Sequence, residues 1–306
     1  MRILITGANG FFGRNLCRAW KDQHDLLLTD LPPELFAIQT KEPYNTDKHN
    51  WFHCDIRDSA YVVNDHLKNI DMVIHLAAKT RIDPSWNEFE SYYNTNITAS
   101  QTLYQIAQNN GVKKFIYFSS SSVYGNSLNK QQSETDLLSP TNPYAVSKMA
   151  AEAALGVQSM KGGTELIIVR PFTMYGDFMS YGTYSLAIAR FLKALERGQP
   201  IIIEGGGTQT RDFVHASDAI AALELIMEHG KNGDVFNIGT GTTTSIKTLA
   251  DIVSEQQVQA SARIGAVKRT CANIEKLQSL GYQPKIKIKE WLTERVKEIK
   301  LNELQQ

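Results

Sequence analysis

The first thirteen residues constrain this chain more than any other stretch. Arg2-Ile3-Leu4-Ile5-Thr6 reads as a buried strand and runs straight into Gly7-Ala8-Asn9-Gly10-Phe11-Phe12-Gly13, where an amphipathic stretch over 11–22 begins. Glycines three apart between a strand and a helix have distinct physical roles. The first permits a tight turn, the second lets the backbone approach a pyrophosphate, and the third lets helix and strand pack closely. The N–H groups opening the helix, from Phe11 onward, then face an anion with the positive end of the helix dipole behind them. A strand, this turn and a helix define the first unit of a dinucleotide-binding fold.

The following sequence continues that unit. Leu26–Asp30, Trp51–Cys54, Asp71–His75, Lys114–Ser119 and Leu166–Arg170 are short runs rich in β-branched and aromatic residues with little alternation, as in strands buried on both faces. Helical stretches are expected near 58–68, 88–110 and 143–160. Strand–helix alternation of this kind predicts an α/β fold, a Rossmann-type doubly wound parallel sheet, over residues 1–170. After 171 the pattern loosens. Helices near 184–197, 217–229, 245–256 and 289–300, short strands near 201–203 and 235–238, and a turn at Gly205-Gly206-Gly207 predict a smaller, mostly helical lobe over 171–306, from which strands and helices can cross back to the first domain.

Composition excludes several classes. Lysine plus arginine and aspartate plus glutamate each number 32, so net charge is zero and broad attraction to nucleic acid or anionic membrane is not expected. No run of eighteen apolar residues suggests a membrane span, and the opening apolar run is too short for a signal peptide. Cys17, Cys54 and Cys271 are far apart and odd in number, which fits a reducing compartment with no disulfide framework and no metal site. The expected location is the cytoplasm.

Four further groups of residues carry chemistry. Asp30 ends the second strand, where a carboxylate can accept from both ribose hydroxyls of NAD and would repel a 2′-phosphate. Asp55-Ile56 follows the third strand and can flank the adenine. Tyr144 and Lys148 lie one turn apart on the predicted helix after Pro143. A free phenol has a pKa of about 10, but a nearby ammonium and a positive nicotinamide favour the phenolate, making Tyr144 a candidate base. Lys148 can also bond the nicotinamide ribose. Ser119-Ser120-Ser121-Ser122 ends the fifth strand, on the side where parallel sheets bind ligands, and Ser120 can relay a proton to Tyr144.

These residues together resemble the extended short-chain dehydrogenase/reductase superfamily, specifically its NAD-dependent epimerase/dehydratase family. The resemblance spans nearly the whole chain. It includes His75-Leu76-Ala77-Ala78, which with Lys79 passes under the cofactor in the family, the helix residue Asn96, and Arg170-Pro171-Phe172-Thr173-Met174-Tyr175-Gly176. Thr210–Asp218, Phe236–Gly241 and Leu280–Pro284 match motifs of the second half. The resemblance implies a tightly held NAD+ contacted by Gly7, Gly10, Phe11, Phe12, Gly13, Asp30, Asp55, Ile56, Leu76 to Lys79, Asn96, Tyr144, Lys148 and Phe172. It implies a nucleotide-sugar substrate contacted by Ser120, Ser121, Ser122, Tyr144, Thr173, Arg211 and Arg263, the two arginines gripping the diphosphate. It also implies a homodimer built on the 88–110 and 143–160 helices. His75 reads as a structural strand-end histidine.

The implied reaction is C4 epimerisation through a transient 4-keto sugar, on a UDP-hexose or a UDP-hexuronate. The family's 4,6-dehydratases carry an Asp-Glu pair where this chain has Ser121-Ser122, so the machinery for losing water is missing. Thr173 and the serine run resemble the UDP-glucuronate 4-epimerase branch, whereas Asp177-Phe178-Met179-Ser180 stands where that branch has an arginine. Glu204 replaces an aromatic that commonly stacks on the nucleobase. The alternatives are a nucleotide-4-keto-sugar reductase, a UDP-glucuronate decarboxylase, and a dinucleotide-sensing module without chemistry.

Overall fold

The computed structural model describes residues 1–32, 50–59, 63–64, 66–126, 130–179 and 186–304. Seven parallel strands form one sheet. They are β1 (Arg2–Thr6), β2 (Asp25–Asp30), β3 (Asn50–His53), β4 (Met72–His75), β5 (Lys114–Phe118), β6 (Glu165–Pro171) and a seventh, Val235–Ile238. The order runs from the seventh strand through β6, β5, β4, β1 and β2 to β3. From β1 the chain winds outward to β2 and β3, then returns to start β4 on the other side of β1. That reversal opens a crevice beyond the carboxyl ends of β1 and β4, the usual ligand position in such sheets.

The pleat explains why these strands are nearly all apolar. Ile3 and Ile5 face one layer, with Leu26, Leu28, Phe12, Leu16 and Trp20, while Leu4 faces the other, with Leu27, Val73, Phe115, Leu103 and Leu155. The first layer is covered by α1 (Phe11–Trp20). The second is covered by a long helix that runs as α2 (Phe89–Tyr93), a π-turn (Asn94–Thr98) and α3 (Ala99–Asn109), together with α4 (Pro143–Ser159). A helix was expected over 88–110; the π-turn within it is new. Where a helix was expected near 58–68, a 3₁₀ turn, Ile56–Asp58, leads into helical Ser59, whose carbonyl accepts from Val63 N at 3.0 Å; residues 60–62 and 65 lie outside the described residues.

The second half contributes to both regions. β7 (Thr173–Tyr175) leaves β6, followed by α5 (Ala187–Leu195), β8 (Ile201–Glu204), β9 (Thr210–Arg211), β10 (Phe213–His215) and α6 (Ala216–His229). The strand expected in the small lobe near 235–238 is instead β11 (Val235–Ile238), paired in register with Ile168–Pro171 of β6. α6 also returns to the main sheet and lies beside α1, where Trp20 Nε1 donates to Glu224 at 2.8 Å. A third core, with Ile188, Phe191, Leu192, Ile201, Ile203, Leu249, Val253 and Leu292, holds the lobe itself. The lobe is completed by β12 (Thr244–Ser245), α7 (Ile246–Val253), β13 (Gln257–Ala260) and, past α8 (Glu275–Gln278), which packs Leu277 into the first core, α9 (Ile288–Leu304).

Candidate active site

The glycine turn sits in the crevice. Gly7 has φ +71°, and a Cβ there would lie 2.7 Å from Ala77 N, so the β1 turn touches the chain leaving β4. A Cβ on Gly13 would meet Gly7 O at 2.5 Å and Ala8 O at 2.7 Å, so α1 rests directly on the strand exit. Gly10 caps α1 with no side-chain hydrogen bond, and no acidic residue occupies the first turn. Among the described residues the opening N–H groups have no side-chain partner, as an anion-binding helix end requires. Phe12 turns away into the core, 5.3 Å from Phe118, so Phe11 and Phe12 can serve a ligand here through their backbone.

Asp30 closes the same end of the crevice. Its carboxylate accepts from Asn9 N and Leu31 N, each at 2.8 Å, and burial pushes its pKa up to about 6. Asp55 is engaged elsewhere. It caps the Ile56–Asp58 turn through Arg57 N at 2.9 Å and pairs with the Arg57 guanidinium, which lowers its pKa. His75 is a strut: Nδ1 meets Thr6 Oγ1 at 2.7 Å, Nε2 meets Ser100 Oγ at 2.9 Å, and burial pushes its pKa down to about 3.

Asn96 joins the Leu76–Lys79 segment to α4. From the π-turn its Oδ1 accepts from Lys79 N at 2.9 Å, while Nδ2 donates to Lys79 O and to Ser147 Oγ, both at 2.9 Å. π-turns inside helices recur at functional sites because they redirect a side chain. Leu76 N and Ala77 N donate to Thr6 at 3.2 and 3.3 Å, holding the Leu76–Lys79 segment over the end of β1.

α4 begins where Asn142 Oδ1 accepts from Ala145 N at 2.9 Å, with Pro143 at its first position. Tyr144 and Lys148 are both buried. The Tyr144 phenol shares a hydrogen bond with Ser120, which favours the phenolate, but burial has the larger effect and raises its pKa. The Lys148 ammonium lies 4.2 Å from the Tyr117 ring centroid, and burial pushes its own pKa down to about 7. Ser120 caps the turn Ser121–Tyr124 and accepts from Ser122 Oγ at 2.8 Å, giving a hydroxyl chain Ser122–Ser120–Tyr144.

Across the crevice, Phe172 is buried against Tyr124, with its N–H on Ile238 O at 2.8 Å, and Thr173 N donates to Asp212 O at 2.9 Å. Asp212 accepts from Thr240 N, Gly241 N and Ala272 N at 2.8–3.0 Å, which fixes the strand carrying Arg211. Arg211 donates to Thr210 O at 2.8 Å; among the described residues no carboxylate pairs with it, and desolvation pushes its pKa down to about 10. Arg263 is already paired. Its fork holds Glu204 at 2.7 and 2.8 Å and reaches Asp83 at 2.9 Å, while Arg190 takes Glu204 from the other side at 2.8 Å. Sequence reading missed Ser85, which accepts from Tyr144 N at 3.2 Å, and the buried pair Glu152–Arg170. A charged residue inside the apolar β6 strand was the available signal for the pair.

Comparisons with known proteins agree with this architecture. The sequence profile of the NAD dependent epimerase/dehydratase family matches residues 3–239, and the chain belongs to that family. A dTDP-D-glucose 4,6-dehydratase of Mus musculus is 30% identical over 303 residues, 93% of this chain and 84% of the relative. The uncharacterized UDP-glucose epimerase YtcB of Bacillus subtilis is 31% identical over 97% of both chains. MoeE5, solved with UDP-glucuronic acid and NAD, superposes with a TM-score of 0.87 at 32% identity, covering 99% of this chain and 100% of that one. The family is NAD-dependent, and the Gly7–Gly13 cradle, the open α1 terminus and the Asp30 carboxylate fit that cofactor.

Proposed function

We propose that the protein is a nucleotide-sugar C4-epimerase acting on a UDP-hexose or UDP-hexuronate, with NAD retained through the cycle. The observation that carries this reading is the hydroxyl chain ending on buried Tyr144 beside the dinucleotide cradle, with hydroxyls at Ser121 and Ser122 where a dehydratase has carboxyls. Bound NAD supplies a reversible hydride acceptor. Tyr144 takes the proton of the sugar 4-hydroxyl and later returns it, and Ser120 holds the reacting oxygen in line. Lys148 holds the nicotinamide ribose and favours the phenolate once charged. Arg211 and Arg263 hold the diphosphate, so the sugar can turn over while its tether stays fixed, remote binding serving orientation. Arg263 does so by exchanging carboxylate for phosphate. Ser121, Ser122 and Thr173 surround C6 with small hydroxyls that suit either an alcohol or a carboxylate.

The test is to incubate purified protein with a panel of nucleotide sugars, without added cofactor, and identify products by NMR. The expected product is the 4-epimer, with no stoichiometric change in nicotinamide absorbance. Such a change would make the protein a 4-keto-sugar reductase, carbon dioxide release a decarboxylase, and a 4-keto-6-deoxy product a dehydratase. The same reading includes a cytoplasmic homodimer paired through α2–α3 and α4, measurable by sedimentation. Among the described residues no helix is long and apolar enough to cross a membrane.

A further inference from the structure

Arg170 has a position that the reaction outlined above does not use. It lies in β6 and is buried, yet its guanidinium serves two separate parts of the site. Nε and one terminal nitrogen form a fork on Glu152, at 3.0, 3.2 and 2.6 Å, and both side chains are 6% exposed. The other terminal nitrogen donates to Tyr124 Oη at 2.9 Å and to Glu134 O at 3.1 Å. Tyr124 Oη in turn donates to Asn237 Oδ1 of β11 at 2.7 Å.

Each arm leads to one reacting group. Glu152 follows Tyr144 and Lys148 at the i+8 and i+4 positions of α4, so the three share a face. Tyr124 ends the turn that Ser120 caps, and Ser120 bonds the Tyr144 phenol. Arg170 therefore ties the helix that carries the base to the turn that carries its hydrogen-bond partner.

We propose that Arg170, acting through Glu152 and Tyr124, is a positioning residue that sets both the Ser120–Tyr144 alignment and the charge balance around Lys148. The inference rests on the epimerase reading only for the activity readout. The groups facing Lys148 are Tyr144 and Glu152 on its own helix, His75 on β4, Tyr117 on β5 and, behind Glu152, Arg170 on β6. His75 is neutral, being pushed well below its usual range, and Tyr117 is pushed well above its own. Glu152 is thus the anion that favours the charged lysine, and Arg170 tempers it. The two arms separate by chemistry. A lysine at 170 keeps the charge but cannot reach Glu152 and Tyr124 together with a planar fork.

The experiment follows Lys148 Nζ by NMR in protein labelled with 15N-lysine, assigned by its loss in Lys148→Met, across pH. Glu152→Gln is expected to move the Lys148 titration to lower pH, and Arg170→Met to higher pH. Arg170→Lys is expected to leave it near the unaltered midpoint while lowering kcat at least tenfold with KM within about twofold. Should Arg170→Met fail to fold, the double variant Glu152→Gln/Arg170→Met removes the uncompensated charge. It is expected to return the midpoint toward that of the unaltered protein. Midpoints that stay fixed in all variants, or that move the same way in Glu152→Gln and Arg170→Met, would overturn the proposal. So would full kcat in Arg170→Lys. The NMR arm needs no substrate, so an unaltered protein that turns over no sugar in the panel refutes the epimerase reading alone.

Discussion

Asn96 donates to Ser147 Oγ at 2.9 Å, and Ser147 Oγ donates to Tyr144 O at 2.7 Å. The same amide group pairs with both the N–H and the C=O of Lys79. One buried side chain thus registers the Leu76–Lys79 segment against the helix that carries Tyr144. Asn96→Ala would leave two backbone groups and a hydroxyl to find other partners, at about 1–3 kcal/mol for each one left unsatisfied. We expect a loss of about 3 kcal/mol of stability, read as a lower urea midpoint at unchanged slope, together with weaker NAD retention. A midpoint within error of the unaltered protein would mean that water replaces the amide.

Tyr144→Phe removes the proposed proton acceptor and leaves the glycine cradle untouched. Loss of a general acid–base group costs about 10²–10⁴-fold in rate. The expected outcome is turnover reduced by at least a hundredfold with NAD content unchanged, measured by releasing the cofactor from denatured protein. Substantial residual activity would move the base to another group.

Much of this site was legible because its motifs are local. The glycine spacing, the Tyr144–Lys148 helical interval and the doubly buried strands each follow from neighbours in the chain. What stayed hidden depends on contacts between distant segments. A four-residue strand such as Val235–Ile238 has the same pattern whether it joins the main sheet or a lobe hairpin. Nothing near Arg263 foretold that Glu204 and Asp83 would occupy it. Nor did the interval from Tyr144 to Lys148 reveal that burial would raise the phenol's pKa and lower the lysine's, because desolvation depends on the completed layers around α4.

Asp30 gives a pH dependence with a definite sign. Burial raises its pKa from the usual carboxylate range to about 6, against hydrogen bonds from Leu31 N and Asn9 N. Its contribution to stability without NAD is therefore fully present below the ordinary carboxylate range and is lost as pH rises through about 6. NAD binding runs the other way, since ribose hydroxyls donate to the ionised carboxylate. Affinity should fall by about tenfold per pH unit below 6, and Asp30→Asn should flatten that slope. Calorimetric titration from pH 5 to 8 reads both. An unchanged slope in the variant would assign the proton elsewhere.

Two glycines with opposite surroundings test the cradle. A Cβ on Gly13 meets backbone oxygens at 2.5 and 2.7 Å that cannot yield without moving β1 from α1. Gly13→Ala is expected to cost about 1–3 kcal/mol and to abolish NAD retention. Gly156, inside α4, has nothing within 4 Å of its would-be Cβ, so Gly156→Ala should stabilise by about 0.5–1 kcal/mol and leave retention intact. Equal effects at the two sites would show that close strand–helix approach is not what the turn requires.

Arg211 and Arg263 should separate a waiting cation from a paired one. Arg211 is desolvated, with its pKa pushed down to about 10 and no carboxylate partner among the described residues, so its charge is destabilising until an anion arrives. Arg211→Met is therefore expected to raise the melting temperature of the protein alone and to remove the further rise that UDP produces. Arg263 differs because Glu204 and Asp83 already neutralise it. Arg263→Met should lower the melting temperature by taking the arginine from Asp83 and leaving Glu204 to Arg190 alone, and should weaken UDP binding by repulsion as well as by lost contact. Adding Glu204→Gln to Arg263→Met should restore part of that affinity. If Glu204→Gln restores none, the repulsion does not reach the ligand, and the paired cluster is a strut of the lobe and no part of the diphosphate site.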